Sequence, residues 1–211
     1  AAEIIGHFNA VIFVPQMSQI IEGGPDNRRR YLNLALAQTI PGYALLLSEY
    51  GEALTQRNAL LKLLAERGSE PSQLDFWDDS ITRSGATIIL RRIEAVHEIE
   101  KLAACIHRDL THSTEVLRLA YHPAYDPLPQ PVGQIAMPLA TPVQRNGFNE
   151  EDIRKGFRLA LEQTRTEEIR RGVTVLGPHR DELRFLANGV DLGDYGSRGQ
   201  VRTALLALKL A

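Results

Sequence analysis

A single cysteine in 211 residues leaves no room for an internal disulfide framework. That residue, Cys105, falls in a helical stretch and reads as a small core residue rather than a nucleophile. Long apolar runs are missing as well. No stretch approaches the roughly 18 residues that a membrane-spanning helix needs, and no secretory leader is visible. Nor is there a surplus of basic charge. Lys and Arg total 24 against 26 Asp and Glu, a formal net charge of −2, so any nucleic-acid binding has to come from a local patch. Internal repeats and low-complexity tracts are absent too. What remains is ordinary for a globular protein: 44% hydrophobic and 24% charged residues, enough for one domain or for one domain with a large insert.

The opening "AAEIIGHFNAVIFVP" has no initiator Met and runs almost at once into Val11–Val14, an apolar β-branched strand ended by Pro15. The expectation is a chain that starts mid-fold, as a piece of a longer protein. "EGGPDNRRR" reads as a turn and a helix start, with Pro25 at the entry and Asp26 in the first turn. From Pro41 to Arg67, Tyr43, Leu46, Leu47, Tyr50, Leu54, Leu61 and Leu64 form one helical stripe. "GSEPS" interrupts it, and a second stripe runs from Leu74 through Trp77, Ile81, Ile88 and Val96 to Leu110. Two long helices across a short polar break predict an antiparallel hairpin.

"TEVLRLAYHP" alternates like a strand, and residues 123–148 are Pro- and Gly-rich loop. Asn149 caps a helix to about Arg171, with Ile153, Phe157 and Leu161 on one face. "VTVL" and "ELRFLA" read as two more strands, with Asn188-Gly189 as a hairpin turn. A closing helix starts near Ser197. The order gives an α/β body interrupted by a helical insert.

Three groups of residues could carry chemistry. Ser197-Arg198-Gly199-Gln200 opens a helix, where unpaired amides and the helix dipole favour an anion; a plain Ser N-cap is the competing reading. His179, Arg180 and Asp181 make a poor metal or catalytic set, and an ion pair between Arg180 and an acid is the structural reading. Arg28, Arg29 and Arg30 form the main basic cluster, followed by Arg91-Arg92 and Arg170-Arg171. Adjacent arginines on a helix point in different directions, so each pair taken alone reads as a solvated face.

Four segments together resemble the RecF family, bacterial recombination and gap-repair ATPases with an ABC/SMC-type head: "GHFNAVIFVPQMSQIIEGGPDNRRRYLNLAL", "YGEALTQRNALLK", "RGVTVLGPHRDELRF" and "NGVDLGDYGSRGQVRTALLALKLA". They come in family order and span essentially the whole chain. Departures fall at Pro15-Gln16-Met17-Ser18, where the family has Pro-Glu-Asp-Leu, and at Glu22, Asn33, Glu182, Gly196 and Arg198.

The resemblance implies part of an ABC-type, P-loop NTPase-like head (residues 1–24 and 112–211) carrying a mainly α-helical lid (25–111). It places the Walker A and Walker B motifs outside this chain, and no G-x-x-x-x-G-K-[ST] occurs within it. Ser197, Arg198, Gly199 and Gln200 would be the signature, acting in trans on the γ-phosphate of ATP and Mg bound by a second subunit. Gln200 would shape the turn, and His179, Arg180 and Asp181 would support it. Arg28, Arg29 and Arg30 would contact DNA. The implied whole is a cytoplasmic, nucleoid-associated protein of gapped-DNA repair, replication-fork maintenance and the SOS response, weakly DNA-dependent as an ATPase. It would pair as an ATP-dependent homodimer and work with the mediator RecR. The fragment alone would be inactive. The alternatives are the head of another SMC-type chromosome-maintenance ATPase, or a non-enzymatic helical interaction module.

Overall fold

The structure is a computed structural model describing residues 15–68, 70–128, 143, 145 and 147–211. The strand expected at Val11–Val14 lies outside the described residues, as does most of the loop expected at 123–148. A 3-10 turn at Pro15–Ser18 leads into α1 (Gln19–Glu22) and then α2 (Pro25–Thr39), which opens on Pro25 as its first helical residue. A proline there fixes a helical φ and gives up an amide that would have no partner anyway. α3 (Tyr43–Arg67) stops at Gly68, whose φ of 64° is left-handed. α4 (Asp75–Leu110) runs for 36 residues, about 54 Å at 1.5 Å per residue.

α3 and α4 form the expected antiparallel hairpin. Tyr50 meets Gly85, Arg57 meets Asp78, and Leu61 and Leu64 meet Leu74 near the tip. Gly85 marks the tightest point: a Cβ there would stand 2.9 Å from a ring carbon of Phe157 and 3.2 Å from Tyr50. That small residue lets α5 (Glu150–Arg171) press against α4. The Asn149 side chain caps α5 by accepting from the Asp152 amide, and Ile153, Phe157 and Leu161 are fully buried, as their spacing predicts.

Leu117–His122 forms β1, with Leu117, Leu119 and Tyr121 inward. It pairs antiparallel with β2 (Glu182–Ala187), and β2 turns through Asn188-Gly189 into β3 (Val190–Asp191). Both turn residues have positive φ, 50° and 81°, which matches the right-handed twist of a tight hairpin. A short α6 (Leu192–Tyr195) precedes α7 (Arg198–Leu210). α4 is the rod of the molecule: α3, α5, α7 and β1 all pack on it around one main core, with Leu61, Leu64 and Leu74 forming a second, small cluster at the hairpin tip.

Three expectations need correction. Residues 173–176 are not a strand. Side chains satisfy their backbone instead: Asn58 Oδ1 accepts from the Thr174 amide (2.8 Å) and Glu168 Oε1 from the Val175 amide (2.8 Å). Cys105 is exposed rather than core, because it lies off the face that buries Ala103 and His107. Arg180 is exposed with no ion pair among the described residues. The acid beside it, Asp181, turns inward and pairs with Arg92 of α4 at 2.6 Å.

Candidate functional site

The turn before α7 is built from its own sequence. Asp191 caps α6 by accepting from the Gly193 amide (2.8 Å), and Arg184 holds Asp191 (2.8 Å) and Asp194 (3.2 Å) from the neighbouring strand. Ser197 then caps α7 in a full capping box. Its Oγ accepts from the Gln200 amide at 3.2 Å, while Gln200 Oε1 accepts from the Ser197 amide at 3.0 Å. Two amides are thereby satisfied within the turn. The amides of Arg198 and Gly199 have no partner among the described residues, and both residues are exposed. Ser197 is exposed too, and its hydroxyl hydrogen is free to donate outward while Oγ accepts within the turn.

Gly199 adds a telling detail. A Cβ there would meet nothing closer than Ser197 Oγ at 3.9 Å. The chain's own packing therefore does not require glycine, which costs a helix roughly 1 kcal/mol relative to alanine. What the missing side chain does is leave the amide open to close approach from outside. Arg198 and Arg202, one helical turn apart, are both exposed. Arg202 was missed in the sequence, although its i,i+4 spacing from Arg198 was there to be read.

The segment at 179–181 has a different character. Thr174 O, an acceptor only, lies 3.1 Å from His179 Nε2, so that nitrogen carries the hydrogen. His179 Nδ1 then accepts from the Tyr50 hydroxyl at 2.7 Å. Burial pulls the imidazole pKa down to about 4, with the Thr174 carbonyl opposing that shift. Asp181 is a hub. Its carboxylate accepts from Arg92 (2.6 Å), the Tyr121 hydroxyl (2.5 Å) and the Ala124 amide (2.9 Å). Burial works against the Arg92 charge, but the Asp181 carboxylate together with the Tyr121 and Tyr43 hydroxyl groups holds the pKa above the ordinary arginine value. No hydrogen bond or ion pair among the described residues joins 179–181 to 197–200; the chain runs from one to the other through β2, β3 and α6.

The basic cluster of α2 divides. Arg28 grips Glu182 with two bonds, 2.7 and 2.9 Å, and is 9% exposed. Arg29 donates to Asp181 O at 2.7 Å and to Asp26. Arg30 alone of the three is exposed without a partner among the described residues. Arg92 is buried, Arg91 pairs with Glu94, and Arg170 and Arg171 share Glu167. Among the described residues no three His, Cys, Asp or Glu side chains converge as metal ligands, and no helix is long and apolar enough to cross a membrane.

No family model matches the chain. It is 37% identical over 211 residues to the DNA replication and repair protein RecF of Halothermothrix orenii, and 34% identical over 211 residues to that of Bacillus mycoides. Each alignment takes in 100% of this chain and 52% of the relative. Two solved structures of the recombination mediator protein RecF in the RecFOR pathway, RecF-ATPrS and RecF-ATP, match it at TM-scores of 0.84 and 0.83. In both the identity is 31%, over 99% of this chain and 51% of the other. The chain is RecF-like over its whole length. It spans about half the length of the curated RecF relatives it matches. Its fold class is accordingly that of part of an ABC-type ATPase head bearing a helical insert. Within this RecF-like fold α5 packs on α3 and α4, so the helical layer draws on more of the chain than the hairpin alone.

Proposed function

We propose that this chain is part of a RecF-type, ATP-dependent DNA-binding protein of recombinational repair, and that Ser197-Arg198-Gly199-Gln200 is its signature turn. In this reading the turn of one subunit closes on the γ-phosphate of an ATP carried by a second subunit. The observation that carries it is the pair of exposed amides at Arg198 and Gly199, unpartnered among the described residues, at a glycine that the packing of those residues does not need.

The chemistry follows from that arrangement. Ser197 Oγ and the two amides would donate to phosphate oxygens, and bonds to a charged acceptor are roughly twice as strong as neutral ones. The dipole of α7 adds about half a positive charge at the same point. ATP would supply the terminal phosphate that joins the two subunits, with Mg held by residues elsewhere. Gln200 holds the turn in shape and keeps the Ser197 amide occupied. The proposed partners are DNA, a second copy of the protein and the mediator RecR. The proposed division keeps 25–111 as the lid and 1–24 with 112–211 as head.

Ser197→Arg in the full-length protein tests the reading. The longer, charged side chain fills the space the phosphate would occupy. ATP-dependent dimerisation, followed by sedimentation, is expected to be lost while ATP binding to the single subunit persists. Dimerisation at the wild-type ATP concentration would return the turn to a plain helix cap.

A further inference from the structure

The capping box accounts for only half of what Gln200 does. Its Oε1 accepts from the Ser197 amide, and its Nε2 donates to Glu115 Oε1 at 2.9 Å. Glu115 lies 85 residues away in sequence, on the link between the end of α4 and β1. Asn188 pins that link: its Oδ1 accepts from the Val116 amide (2.9 Å), its amide donates to Val116 O (3.0 Å), and its Nδ2 donates to Thr114 O (3.3 Å). The Glu115 carboxylate is therefore held on a fixed stem. The other carboxylate oxygen, Oε2, faces His107 Nε2 of α4 at 3.6 Å.

His107 is 0% exposed, and neither ring nitrogen has a hydrogen-bond partner among the described residues; nor has Glu115 Oε2. Buried polar atoms without partners are costly. This pair is close enough to interact and too far apart to be satisfied, so a small shift of α4 toward the link would close it.

We propose that Glu115 is a positioning residue for the Ser197–Gln200 turn, and that it ties the geometry of that turn to the last turn of α4 through His107. The inference rests on the nucleotide-facing reading of the turn. The side chain of Gln200 is long and rotatable, and fixing it requires a partner at its far end. With Glu115 in place, the amide of Gln200 is oriented, its Oε1 stays on the Ser197 amide, and the amides of Arg198 and Gly199 keep one direction. Without it Gln200 rotates, the box opens, and the donors scatter. α4 also packs against α3, α5, β1 and α7 itself, so a load on the helical arm reaches α7 through that packing and the side chain of Gln200 through this contact.

The test uses the full-length protein with Glu115→Ala, Glu115→Gln and Gln200→Ala. Glu115→Ala is expected to raise the ATP concentration needed for dimerisation by about tenfold or more, tenfold being the low end for one bond to a charged group. ATP affinity of the single subunit and the unfolding midpoint should hold. Glu115→Gln keeps an oxygen for Gln200 Nε2 and should restore most of the dimerisation. The double variant Glu115→Ala/Gln200→Ala should be no worse than Gln200→Ala alone, because both act through one side chain. Additive losses, or wild-type dimerisation by Glu115→Ala, overturn the proposal. If Ser197→Arg abolishes dimerisation while Glu115→Ala does not, only the positioning role fails. If neither matters, the reading of the turn fails with it.

Discussion

His179 shows how a residue can carry a conspicuous motif and still serve the fold. Its ring is fixed between the Tyr50 hydroxyl and the Thr174 carbonyl, and it is neutral in the folded state because burial pulls its pKa to about 4. In the unfolded chain the imidazole returns to about 6.5. The unfolded state therefore binds the extra proton between those values, and stability falls as pH drops from about 6.5 toward 4, by up to about 3 kcal/mol. His107 and His122 are shifted down by burial as well, so the wild-type slope is a sum. Urea midpoints of the wild type and His179→Gln, measured from pH 7 to pH 4.5, separate the parts. The variant should be less stable at pH 7 and lose less on acidification. Equal slopes would remove His179 from the acid response.

At the scale of elements, the long helices were legible because their apolar spacing is regular, and their most consequential residues sat in the gaps. The α3 stripe skips from Leu54 to Leu61, and Arg57, fully buried with Asp78 and Glu168, fills the gap. The α4 stripe passes from Ile88 to Val96 over Arg92, the partner of Asp181. A charge on the apolar side of a stripe has to be paired, and its partner lies in another element, which spacing along one helix cannot name. For the same reason "VTVL" read as a strand: β-branched residues predict strand locally, while Asn58 of α3 and Glu168 of the preceding α5 take up its amides. The Ser197 cap was legible as a plain N-cap; the return bond from Gln200 that completes the capping box went unread, although both partners lie within four residues. The bond to Glu115 was not legible. Gly85 belongs to this scale. Gly85→Ala gains helix propensity of about 1 kcal/mol, but its methyl meets a buried Phe157 ring at 2.9 Å, and overpacking costs about 1–3 kcal/mol. The expected result is a lower unfolding midpoint, recovered in part by Phe157→Leu. A midpoint at or above wild type would mean that the helix contact yields.

At the scale of the whole chain, the decisive question is where a sequence of net charge −2 would make the proposed contact with DNA. The three adjacent arginines point in different directions around α2, as their spacing predicts, and the fold assigns them different work. Arg28 and Arg29 bind α2 to the start of β2 through Glu182 and the Asp181 carbonyl, and Arg30 stays exposed without a partner among the described residues. If the proposed DNA contact includes α2, it runs through Arg30. Each phosphate contact made by an arginine adds roughly 0.9 to the steepness with which log affinity falls against log salt on duplex DNA. Arg30→Ala in the full-length protein should then weaken binding at low salt, flatten the salt dependence by about one contact, and leave the unfolding midpoint where it was. Arg28→Ala should do the reverse. It strands the half-buried Glu182 carboxylate, so the unfolding midpoint drops, while the salt slope of the protein that remains folded is unchanged. A salt slope untouched by Arg30→Ala would move the DNA surface off α2 altogether.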